Sequence, residues 1–198
     1  MVVKLFYAPG ACSLASHICL IEGKAQFEAE RVDLKTKITA SGGDFRAVTA
    51  KGYVPALMLD SGEVVTENVA VLSYLAGELP ALGVSGEFGR IRLIEALAYL
   101  STEVHKRFES LFSGADPKEQ SGASASITYR LRYLADRMRE EYLFGDQPSV
   151  ADFYLFVMMR WASMFGVAIP TPLYGLYKRL LARPSVQTAL ESEGLAIS

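Results

Sequence analysis

The sequence predicts an α/β domain followed by an all-α domain, and three observations carry that prediction. In the first eighty residues, β-branched and aromatic runs alternate with segments of helical periodicity. A Gly- and Pro-rich stretch, "PALGVSGEF", then interrupts the pattern. Beyond it, apolar residues recur only in steps of three and four.

Element by element, "VVKLFY" (2–7) reads as a strand, residues 12–24 as a helix and "FEAERVDL" (27–34) as a second strand. A polar helix is predicted near 42–50, where "SGGDF" offers a start signal. "YVPALMLD" (53–60) and "EVVTE" (63–67) form a hairpin about "DSG", and "TENVAVLSYLAGEL" (66–79) is a helix stopped near Pro80. The order is βαβαββα over residues 1–79, with a linker at 80–87 and a helical domain at 88–198. In the helical part, Ile94, Leu97, Ser101, Val104, Phe108 and Leu111 mark one face of a long helix. Ile127, Leu131, Leu134 and Met138 mark a second helix, and "SVAD" (149–152) is a capping box ahead of "FYLFVMMRWASMF". "PLYGLYKRLLARPSV" adds another helix, ended near Pro184.

Composition narrows the function. The 198 residues are 51% hydrophobic and 21% charged, ordinary for a globular chain with real cores. A formal net charge of −2 with no basic tract argues against nucleic acid as a partner. No apolar run approaches the roughly 18 residues of a membrane span, and the start of the chain lacks a signal-peptide pattern. Two cysteines make no disulfide framework, so a reducing, cytoplasmic setting is expected. Neither they nor the two histidines show zinc-ligand spacing, so no metal is expected.

Chemistry concentrates at "YAPGACSLAS" (7–16). A strand, a Pro-Gly turn and a helix start surround Cys12, where unpaired N–H groups stabilise a thiolate. Thioredoxin-like proteins place a reactive thiol in this context, usually as C-x-x-C. Here Ala15 stands where the second cysteine would be. Cys19 lies about 10 Å further along the helix, beyond disulfide reach, and reads as core. Cys12 is therefore limited to activating a thiol or pairing with an external one. In "YVPAL" (53–57), Pro55 at a strand start matches the place of a cis-proline facing that cysteine. "TEN" (66–68) has two readings: a helix start and Glu67 clamping the carboxylate and ammonium of an amino-acid end, or an ordinary helix cap. His105 also has two, as a cleft residue or as an interface histidine. His17 lies about 140° around the helix from Cys12 and reads as structural.

Together, "YAPGACSLASHICLIE", "KGYVPALMLDSGEVVTENVAVLSYLA", "STEVHKRF" and "SVADFYLFVMMRWA" resemble the bacterial beta-class glutathione S-transferases, from about residue 3 to 195. The resemblance implies a thioredoxin-like domain plus a helical domain, a homodimer, and conjugation of glutathione to apolar electrophiles. Thiol–disulfide exchange through a Cys12–glutathione mixed disulfide is a further implied activity. The competing reading is a non-catalytic binder of hydrophobic ligands on the same fold. Carried over by position, Cys12 contacts the glutathione sulfur and Val54 pairs with the cysteinyl backbone. Glu67 and Asn68 hold the γ-glutamyl end, and Lys37 stands near the glycyl end. Thr102, Glu103 and His105 stand near the thiol and the dimer interface, with Cys12 and His105 as the catalytic pair. Phe108, Phe112, Trp161 and Phe165 are candidates for the electrophile side. Two positions depart from the family pattern: Asn68 where serine is common, and Ala98 where many relatives have asparagine.

Overall fold

In the computed structural model, residues 2–197 are described. The strands β1 (Val2–Tyr7), β2 (Gln26–Arg31), β3 (Ala56–Leu59) and β4 (Val64–Thr66) form one sheet in the order β2-β1-β3-β4. β1 and β2 run parallel, joined by helix α1 (Leu14–Glu22); β1–β3 and β3–β4 are antiparallel. Helix α2 (Asn68–Glu78) follows the hairpin.

The sheet buries both faces, because side chains alternate along β1. Val3, Leu5 and Tyr7 join Leu57, α1 and α2 in the main core. Phe6 faces the other way, with Val32, Phe45, Val54 and Ala56. That second face is where the prediction near 42–50 fails. Only a 3₁₀ turn, Phe45–Ala47, forms there, with the Asp44 carboxylate accepting from the Arg46 N–H. The segment has one large apolar side chain and a glycine at φ +90°, so it has no stripe with which to dock a helix. Phe45 is the one large ring this segment adds to that face, its centroid 5.4 Å from that of Phe6, with Val48 packed beside it.

The helical part comprises α3 (Gly89–Tyr99), α4 (Glu109–Phe112), α5 (Pro117–Ala135), α6 (Val150–Met164), α7 (Thr171–Leu181) and α8 (Pro184–Ser192). The long helix expected around residues 94–111 is not continuous. Between α3 and α4 the chain passes through a π-helical turn (Leu100–Val104) and a 3₁₀ turn (His105–Phe108). Leu93 and Leu100 lie deeper than Ile94 and Ser101, which are half-buried. Met138 packs on the core from beyond the end of α5, and Pro184 opens α8 rather than only ending α7.

The capping box is present. Buried Asp152 accepts from the Ser149 N–H (2.8 Å), the Ser149 hydroxyl (2.7 Å) and the Leu143 N–H (2.9 Å). Helix α6 is the central rod of the molecule, buried along nearly its whole length, with α1 and α7 packed on it. Among the described residues no helix is long and apolar enough to cross a membrane, and no cluster of side chains could hold a metal ion.

Candidate functional site

The loop between β1 and α1 carries Cys12. Gly10 turns the chain at φ +69°, a left-handed conformation that favours glycine. The loop is pinned from the helical part at two points. The Trp161 indole N–H donates to the Gly10 carbonyl (2.8 Å), and the Gly10 N–H donates to the Glu193 carboxylate (2.8 Å). The same carboxylate meets His17 Nδ1 at 2.9 Å, within a buried pair whose histidine ring also packs on Tyr7 and Phe27. His17 is thus structural, as expected, and Cys19 is fully buried core.

Cys12 lies two residues before α1. Its half-buried thiol donates to the Val54 carbonyl at 3.5 Å. Burial pushes that thiol up to about 12, against the pull of the Cys12 and Ser13 backbone N–H groups and with a smaller push from Glu67. The pull of the helix-start N–H groups on the thiol is therefore outweighed in this state. Desolvation outweighs the amide dipoles because neighbours from distant segments close over the sulfur. Cys12 and Cys19 are both free thiols.

Val54–Pro55 is cis, as the sequence context suggests. Val54 is buried beside β3, and its N–H meets no acceptor among the described residues. Lys37 reaches this edge, its stem lying over Gly52, where an added Cβ would sit 3.6 Å from Lys37 Cε. Glu67 stands at the start of α2 with φ +70°, uncommon for a side chain larger than glycine. Its carboxylate accepts from Lys51 (2.5 Å) and the Tyr53 hydroxyl (2.9 Å), which hold it below the usual carboxylate range. Lys51 and Tyr53 went unread in the sequence. Asn68, next in the chain, is only 7% exposed, yet neither atom of its amide group completes a hydrogen bond. Buried amides are almost always satisfied, so this one is an exception, with the Tyr154 hydroxyl the polar group that it faces.

His105 opens the 3₁₀ turn after the π-helical segment, a kind of irregularity frequent at functional sites. Its Nδ1 lies 2.7 Å from the hydroxyl of Tyr154, a fully buried residue of α6. Burial lowers the proton affinity of the imidazole, so it is neutral near pH 7. Burial raises the Tyr154 phenol, and a nearby Cys12 charge would raise it further; Asn68 and Ser101 also face this hydroxyl. Tyr154 thus joins residues of both domains. Sequence reading missed it because it lies in an apolar run that reads as core throughout.

A cavity of about 620 Å³ is lined by Ser101, Thr102, His105, Phe108 and Phe112. A second, of about 540 Å³, shares Phe112 and adds Gly10, Arg160, Trp161 and Met164. Phe112, 52% exposed, stands between them and meets Trp161 and Phe165 edge-on. Phe108 is fully buried and packs edge-on against Trp161. Cys12 itself lines neither cavity. Glu103 is turned to Arg130 (3.0 Å) and Arg107 rather than to the cysteine. Ala98 contributes a carbonyl, which accepts from the Thr102 hydroxyl at 3.1 Å.

Residues 1–77 match the family model "Glutathione S-transferase, N-terminal domain", and residues 99–184 match "Glutathione S-transferase, C-terminal domain". Glutathione S-transferase GstA of Escherichia coli O157:H7 is 41% identical, the match covering 98% of this chain and 100% of that protein. A solved sphingomonad glutathione S-transferase complexed with glutathione is 42% identical, with a TM-score of 0.89 over 98% of this chain and 100% of that one. The bacterial beta-class glutathione S-transferase of Sphingomonas chungbukensis is 44% identical, with a TM-score of 0.88 over the same shares.

Proposed function

Since this chain belongs to the glutathione S-transferase family, we propose that it joins the sulfur of glutathione to apolar electrophiles. The observation that carries the reading is the buried, unsatisfied amide of Asn68, together with the unmet N–H of Val54. Glutathione offers what these groups lack: a carboxylate for Asn68 and the start of α2, and a peptide carbonyl for Val54. Its ammonium goes to Glu67, in competition with Lys51, and its glycyl carboxylate to Lys37. The sulfur then lies near Cys12 and His105, and Phe108 and Phe112 face the electrophile across the 620 Å³ cavity.

The reaction needs a thiolate on glutathione, and each unit by which the site lowers that thiol's pKa is about 1.4 kcal/mol of preferential binding. A protonated Cys12 is suited to donate its S–H to the glutathione sulfur, exchanging the Val54 carbonyl for a charged acceptor. Neutral His105 can donate from Nε2. With a chloronitroarene, the thiolate sulfur attacks the ring carbon, the C–S bond forms, and chloride departs with the C–Cl electron pair. Exchange with glutathione disulfide to form a Cys12–glutathione mixed disulfide requires a Cys12 thiolate, which the buried sulfur disfavours. Conjugation is therefore the leading activity in this reading. Two copies of the chain form a homodimer, supported by Ile91 on α3 and Tyr129 on α5, which are 60% and 74% exposed. Thr102 and Glu103 serve the glutathione site near the thiol and the subunit interface.

Replacement of Cys12 by Ser and by Ala tests the reading. Conjugation should survive Cys12→Ser, which keeps a donor, and fall about tenfold in Cys12→Ala. Conjugation untouched in both variants, with loss of glutathione-dependent disulfide reduction, would move Cys12 to redox work. Retention on immobilised glutathione without turnover of any electrophile would return the protein to the non-catalytic reading.

A further inference from the structure

We propose that Tyr154 is a positioning residue, its phenol donating to His105 Nδ1 so that the imidazole carries its proton on Nε2. The inference rests on the reading that His105 serves the glutathione sulfur. Tyr154 is fully buried in the central helix α6, where a phenylalanine would pack as well. What the hydroxyl adds is the 2.7 Å contact with His105, on an oxygen that Asn68 and Ser101 also face. A neutral imidazole has one N–H and one lone pair, and the bond made by one nitrogen sets the state of the other. The phenol is the better donor of the two partners, which places the lone pair at Nδ1 and the proton at Nε2. Nε2 makes no hydrogen bond among the described residues and is not a buried orphan, on a side chain that lines the 620 Å³ cavity.

A second contact from the same helix fixes the ring plane. Trp161 lies seven residues beyond Tyr154, two turns along and on the same face of α6. Its ring centroid is 5.0 Å from that of His105 at an interplanar angle of 64°, while the Tyr154 ring stands at 5.9 Å and 85°. One helix thus sets both the orientation and the tautomer of a histidine that sits on an irregular turn.

The chain has only two histidines, so 15N-histidine labelling and long-range proton–nitrogen correlation give a spectrum of two imidazoles, assigned with a His105→Phe variant. The wild-type protein should show His105 protonated at Nε2 alone. Tyr154→Phe should give a mixture of tautomers and lower kcat/KM about five- to tenfold, the worth of one ordinary hydrogen bond. In a His105→Phe background the same change should cost nothing further. A wild-type Nδ1–H tautomer, an unchanged tautomer in Tyr154→Phe, or losses that multiply in the double variant would each overturn the proposal. Undiminished turnover in His105→Phe would instead overturn the reading of His105 itself, with the spectrum still deciding what Tyr154 does to the ring.

Discussion

Alkylation of Cys12 by a small neutral reagent such as iodoacetamide should be slow at pH 7 and should climb steeply only in strong alkali. The nucleophile is the thiolate, so the rate follows its fraction. A thiol at the ordinary value of 9.0 is about one per cent ionised at pH 7. Pushed up to about 12, Cys12 is ionised on the order of one part in 10⁵, about a thousandfold less. The assay is mass-spectrometric counting of modified Cys12 against time from pH 6 to 10, with buried Cys19 as an unreactive internal control. The rate should rise about tenfold per pH unit over that whole range. A plateau below pH 9 would refute the reasoning, because it would place the thiol at or below its ordinary value. Stability carries the same signature. The folded state holds the Cys12 proton longer than the unfolded chain does, so its stability should fall as pH rises from about 9 towards 12. Cys12→Ser should lack this component of the fall.

Two further substitutions test the supports of the site. Glu193→Ala leaves the Gly10 N–H and His17 without their shared acceptor and should cost about 2–5 kcal/mol in urea denaturation; a loss below about 0.5 kcal/mol would mean that the carboxylate does not hold the loop. Asp152→Ala strips an acceptor from the Ser149 and Leu143 N–H groups and should cost about 3 kcal/mol or more. An unchanged urea midpoint would show that solvent replaces those bonds.

What the sequence disclosed and what it hid divide along a physical line. Strands with β-branched and aromatic alternation, the Pro-Gly turn, the proline at the strand start and the Ser149–Asp152 cap are local signals, and each lies where it was read. The polar helix near 42–50 failed because helix formation there depends on an apolar face that the segment lacks, and Phe45 covers the sheet without one. The irregular turns around His105 lie against α5 and α6, and no local residue announces them. The state of the Cys12 thiol was not legible for a related reason. Its N–H environment is written in its neighbours, but its desolvation comes from segments more than forty residues away. Asn68 could be placed at the start of α2, yet its unmet amide is a property of the assembled interior. Tyr154 was hidden by success: a run so uniformly buried gives no hint that one hydroxyl has a task.

The two stitches on Gly10 also set the order in which this molecule can be completed during synthesis. The Gly10–Glu193 bond closes across 183 residues, and the Trp161 bond across 151. At about 5–20 residues per second, the ribosome delivers Glu193 on the order of ten seconds or more after Gly10. During that interval the cysteine loop lacks its anchors. Until those anchors arrive, the thiol should be more accessible than in the finished protein, where it is half-buried. Agents that modify thiols should therefore mark Cys12 most readily on chains still being made.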